Sequence, residues 1–155
     1  MNLSELIILN LKEIRIRSIK IWKALPENYN NWKPDRAAIS AAEMIRRVLE
    51  ADYGWNRIIN QEDMTDYKSS WENRPFISLE DELEFAEPFG KTFLERVRQF
   101  SNKELNETEI IHSGNETKKN LAKYMLRIGY HESVHAGQFL SYLRAMKVER
   151  PKIWD

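Results

Sequence analysis

The chain has 155 residues, with 24 basic and 24 acidic side chains, a net charge of zero and no cysteine. The balance excludes the basic excess on which nucleic-acid binding draws, and the missing thiols exclude disulfides, thiolate metal ligands and a cysteine nucleophile. A hydrophobic share of 42% at this length predicts one folded domain over residues 1–155, with a single core of ordinary size.

The opening run MNLSELIILNLKEIRIRS has an apolar stretch from Leu6 to Leu9, too short for the core of a signal peptide and followed by alternating charge. No stretch approaches the length of a membrane span, so the sequence reads as a soluble cytoplasmic protein with no membrane partner. Leu3, Ile7, Leu11, Ile14, Ile21 and Leu25 recur at helical spacing and predict a first helix that Pro26 stops. Ile8, Leu9, Ile16 and Ile19 fall off that stripe, and a second apolar strip calls for a partner surface, here a second copy of the chain.

A polar and aromatic connection over 27–39 leads to Ser40 and Glu43, which form a capping box for helix two. Its stripe is Met44, Val48, Ala51, Trp55 and Ile58. Residues 61–77, rich in Asp, Ser and Asn, read as a loop. Ser78 and Asp81 cap a third helix lined by Leu79, Leu83, Ala86, Phe93, Val97 and Phe100, which Pro88 is expected to kink or split. Residues 101–120 read as a loop with a short extended piece at Ile110–Ile111. Helix four is predicted from near Thr117, with Leu121, Met125, Ile128, His135, Phe139, Tyr142 and Met146 on one stripe. Four long amphipathic helices with connections of this size predict an all-α four-helix bundle.

The fourth helix carries His131-Glu132-Ser133-Val134-His135. Histidines four apart share a helix face, within reach of one metal ion. The same letters spell the H-E-x-x-H of zinc proteases, in which the glutamate is the general base. That reading needs a strand edge to bind peptide and a third ligand downstream. No convincing strand precedes His131, and only Glu149 and Asp155 follow as candidates, so the protease reading is set aside. Two interpretations stay open from spacing alone: a metal site inside the bundle, completed from a facing helix, or two histidines satisfied by hydrogen bonds. His112, in the loop-like stretch, is read as a surface histidine.

The run Gly129-Tyr130-His131-Glu132-Ser133-Val134-His135-Ala136-Gly137-Gln138-Phe139-Leu140 resembles the last helix of the DinB/YfiT-like family. Ser40-Ala41-Ala42-Glu43, then Glu50-Ala51-Asp52 with Trp55 a turn beyond, are similar to its second helix, and the likeness extends over nearly the whole chain. The resemblance implies an up-down-down-up four-helix bundle, often dimeric, with a three-histidine site for a divalent metal such as Zn or Ni. Two of those ligands match His131 and His135. The third normally stands seven residues after the capping serine, where this chain has Arg47.

A guanidinium has no lone pair and stays protonated, so Arg47 cannot ligate a cation and opposes one nearby. Either Arg47 pairs with Glu43 or Glu50 and seals a lost site, or it holds an anionic group of a small-molecule substrate. The sequence therefore predicts an incomplete two-histidine metal site of weakened affinity, in a non-catalytic protein or a small-molecule binder. The alternative implied by the resemblance is a metal-dependent transferase that uses an external low-molecular-weight thiol such as bacillithiol.

Overall fold

The computed structural model describes residues 1–111 and 118–154. His112 and the expected helix start at Thr117 lie outside the described residues.

Helix α1 (Leu3–Trp22) opens on a capping box that the sequence reading passed over: Asn2 Oδ1 accepts from the Glu5 N–H at 2.8 Å, and Glu5 accepts from the Asn2 N–H at 2.8 Å. It ends at Trp22, and a 3₁₀ turn at Glu27–Tyr29 starts the connection to α2 (Ala41–Ile59). There the expected box is present, with Ser40 Oγ accepting from the Glu43 N–H at 3.2 Å and Glu43 accepting from the Ser40 N–H at 2.6 Å. Helix α3 (Leu79–Gln99) is capped by Ser78, whose Oγ accepts from the Asp81 N–H at 3.1 Å. Pro88 does not split it. The carbonyl that Pro88 cannot bond belongs to Glu84, and Glu84, Glu87 and Pro88 are all exposed, so water satisfies that group.

The stretch after α3 is more structured than its polarity predicts. A short helix α4 (Asn102–Glu107) has its own capping box from Ser101 and Glu104. Strand β1 (Glu109–Ile111) then pairs antiparallel with β2 (Lys118–Asn120), Glu109 opposite Asn120. Asn120 caps α5 (Leu121–Ala145), its side chain accepting from the Lys123 N–H at 3.2 Å.

Around the bundle, α1 packs on α5 and α3, and α2 packs on α3 and α5, so α1 and α2 face each other across the diagonal. Helix directions follow from which residues share a core. One apolar cluster joins Ile7 and Leu11 to Ile59, Phe93, Leu121 and Ile128. The other joins Ile21 and Trp22 to Met44, Ala86, Phe139 and Leu143. Each helix contributes one end to each cluster, and the order is up, down, down, up. Because α2 and α3 are parallel neighbours, the chain must return the full helix length between them. A 19-residue helix is about 28 Å long, which is why residues 60–78 form an extended connection and not a tight turn.

That connection is pinned from beneath. Glu82, fully buried, accepts from Trp71 Nε1 at 2.8 Å and from Arg46 Nε at 3.0 Å. Arg46 also donates to the carbonyls of Arg74 (2.6 Å) and Pro75 (2.7 Å). Of the second apolar strip predicted on α1, Ile8 is buried and Ile19 packs partly against the second cluster, while Leu9 and Ile16 are exposed. The protomer thus covers half of that strip itself. Among the described residues no helix is long and apolar enough to cross a membrane.

Candidate functional site

His131 and His135 stack one turn apart on α5, their rings edge to face with centroids 4.6 Å apart. Both are partly buried and turn toward α2, where Trp55 sets its ring edge to face against His131 at 5.6 Å. His135 Nδ1 meets Gln138 Oε1 at 2.8 Å. With the amide oxygen accepting, Nδ1 carries the proton and Nε2 keeps its lone pair. Burial holds the His131 pKa below the ordinary 6.5, helped by His135 and Arg47 against the pull of Glu132. Burial also lowers that of His135, with Arg47 adding to it and the Gln138 contact opposing. Both imidazoles are thus neutral near pH 7 and able to offer a lone pair or an N–H.

Arg47 stands on α2 close enough for its charge to act on both imidazoles, without a hydrogen bond to either. Its pairing differs from expectation. Glu43 is committed to the Ser40 cap, and Glu50 accepts from the Tyr67 hydroxyl at 3.0 Å. The exposed Arg47 makes no ion pair with either acid, nor with any other described residue. The reason is local: a capping box and a tyrosine from the 60–78 connection claimed the two carboxylates first.

Glu132 lies about 60–100° around α5 from the histidines that flank it, close enough for its charge to act on both, and reaches across to α1. Its two oxygens accept from Arg15 Nε at 2.8 Å and Arg15 Nη2 at 3.1 Å. The same guanidinium bonds Asp52, Nη1 to Oδ2 at 3.0 Å and Nη2 to Oδ1 at 3.1 Å. Asp52 and Glu132 are each 7% exposed, and the triad lies between the two apolar clusters as a polar layer. Burial, outweighing Arg15, raises the Asp52 pKa, and the two carboxylates in turn overcome burial to raise that of Arg15. Gly90 on α3 completes the packing, since a Cβ there would stand 3.0 Å from Asp52 Oδ2. A general base must reach the metal-bound water; a glutamate whose two oxygens are both held by Arg15 does not serve.

The sequence reading missed Arg15, Asp52 and Gly90. The signal was helix phase: Arg15 follows Leu11 by four, Asp52 follows Val48 by four and Glu132 follows Ile128 by four, so all three charges fall on apolar stripes.

The donor set on the α2/α5 side does not fit a complete metal site. It holds two imidazole nitrogens and a cation, and among the described residues no three His, Cys, Asp or Glu side chains are grouped to hold a metal ion. An open zinc site keeps three protein ligands. What the arrangement does offer is a positive guanidinium beside two neutral N–H and lone-pair groups, with an indole as one wall.

No curated protein matches the chain. Among solved structures, the DinB-like protein YjoA from Bacillus subtilis aligns with a TM-score of 0.69 at 18% identity, covering 96% of this chain and 98% of that one. At that identity the likeness is one of fold. The family profile described as the DinB superfamily matches residues 10–139, from α1 through both histidines to Phe139. With the profile running through all four long helices, the chain belongs to the DinB superfamily.

Proposed function

We propose that this protein is a small-molecule binder whose α2/α5 face, at Arg47 and the two histidines, takes an anionic group, and that it holds a divalent cation only weakly. Arg47 is the anchor, supplying charge and paired N–H donors to a carboxylate or phosphate. His131 and His135, neutral near pH 7, flank the anion as further hydrogen-bonding groups, and Trp55 supplies an apolar wall. One observation carries this reading: Arg47 makes no ion pair although two glutamates lie within a turn of it on the same helix, both engaged elsewhere. Arg47 feels Glu43 only through space, and its exposed guanidinium beside two neutral imidazoles has N–H donors to offer an anion. The transferase alternative requires a metal that presents a thiolate, and the donor set gives it no support.

Titration calorimetry with inorganic phosphate and with acetate tests the reading. The intact protein is expected to bind at least one of them saturably, and Arg47→Ala to weaken that binding at least tenfold. Equal binding by both proteins, or none by either, rejects it. Metal analysis of protein purified without a histidine tag is expected to find less than one equivalent.

A further inference from the structure

On the side of the bundle away from the histidines, a cavity of about 300 Å³ opens between α1 and α3. We propose that it binds a compact apolar primary amine in its protonated form, with the ammonium against Asp52 and Glu132 and the apolar body among Leu11, Phe93, Leu94 and Ile128. This is a second site, independent of the anion site proposed at Arg47.

The floor of the cavity is the Arg15 triad, seen from the α1/α3 side. Two carboxylates share one guanidinium, so with both ionised the layer carries a net charge of −1; burial, which raises the Asp52 pKa, opposes that charge, and a bound cation would offset the opposition. Each of the four carboxylate oxygens accepts one N–H from Arg15, and no other described residue donates to them. A carboxylate oxygen accommodates two donors, so four acceptor positions stay open in side chains that are about nine-tenths buried. Buried groups of this kind are costly unless paired. An ammonium brings three donors to those four positions and one positive charge to the net negative layer.

Access comes from α3. Gly90 lines the cavity, and the side chain it lacks would meet Asp52 Oδ2. Glycine in a helix interior costs stability, and here it leaves the acidic floor uncovered. The remaining walls are apolar, so the body of the ligand is apolar. The volume lies at the lower end for small-molecule pockets and suits one ring or a short chain. Lys12, at the mouth, is exposed, and water screens its charge from the incoming amine. In the wider groove outside, Lys12, Lys91 and Arg98 stand with Glu84, Glu87 and Glu95. That rim is charge-balanced, so selection rests on the floor.

The test is calorimetric titration of the intact protein with benzylamine, benzyl alcohol and benzoate, three probes of nearly equal size. Benzylamine is expected to bind with millimolar or tighter affinity, benzyl alcohol at least tenfold more weakly, and benzoate not measurably. Ile16→Trp, at an exposed position on the mouth, and Leu94→Trp, on a partly buried wall, are each expected to weaken benzylamine at least tenfold. The first is chosen to fold whatever the second does. Inorganic phosphate, the probe of the Arg47 site, is expected to leave the benzylamine affinity unchanged. The proposal is overturned if no probe binds, if alcohol or benzoate binds as tightly as the amine, or if folded Ile16→Trp protein binds benzylamine undiminished.

Discussion

Arg15 on α1 and Asp52 on α2 meet across the diagonal of the bundle through two hydrogen bonds, at 3.0 and 3.1 Å. Helices on a diagonal share little direct packing, so this fork and its second half on Glu132 lock α1, α2 and α5 to one height.

Arg15→Met removes the cation and leaves two buried carboxylates with no compensating charge. Urea denaturation is expected to show a loss of roughly 3–5 kcal/mol, the cost of breaking a buried pair from one side. Arg15→Met combined with Asp52→Leu and Glu132→Met is expected to recover most of it, because an apolar layer of similar volume has no charge to desolvate. A loss below about 1 kcal/mol for the single change would mean that water already solvates the two acids.

Gly90→Ala is expected to destabilise the protein despite the better helix propensity of alanine. The new Cβ would stand 3.0 Å from Asp52 Oδ2, and Arg15 holds that oxygen in place. In an Asp52→Ala background the obstacle is gone, and the same change is expected to stabilise by about 0.5–1 kcal/mol. A double-mutant cycle reads the coupling; additive effects would show that Asp52 moves aside freely.

Arg47→His is expected to raise Zn affinity at least about tenfold, roughly 1.4 kcal/mol. The change removes a charge that acts on both histidines and adds a third nitrogen donor. Calorimetry on the two proteins measures it. Folded variant protein that binds Zn no more tightly would separate position 47 from the histidine pair.

Acid is expected to destabilise the protein through His131 and His135. Their native pKa values lie below the ordinary 6.5, so as pH falls through that value the unfolded chain gains protons before the native state does. Their contribution to stability is complete above pH 6.5 and is lost progressively below it. Ring-proton NMR titration is expected to give both midpoints below 6.5, and Arg47→Ala to move both upward. Midpoints at or above 6.5 would refute the burial argument.

Much of the fold was legible because helix starts advertise themselves: Ser40 with Glu43 and Ser78 with Asp81 mark α2 and α3 in the sequence alone. The box of Ser101 and Glu104 carries the same signature, but six residues in a polar stretch show no hydrophobic period to confirm it. Lys118–Asn120 has no strand-like composition and becomes a strand only by pairing with β1. At the site, His131 and His135 share a helix face by their spacing alone, whereas Arg47 was singled out only through the family resemblance. The Arg15 triad was not legible, because phase shows that each charge faces inward without showing which charges meet. Pairing across α1, α2 and α5 joins residues 37 and 117 positions apart, and no local rule reaches that far.

The parallel arrangement of α2 with α3, and of α1 with α5, has a consequence for how the chain acquires its shape. Neither pair of parallel neighbours is joined by a short turn, so no helical hairpin is available as an early local nucleus. Ile7 and Leu11 wait for Leu121 and Ile128, and Ile21 and Trp22 wait for Phe139 and Leu143. During synthesis both apolar clusters stay incomplete until α5 leaves the ribosome, and the nascent chain exposes them until then.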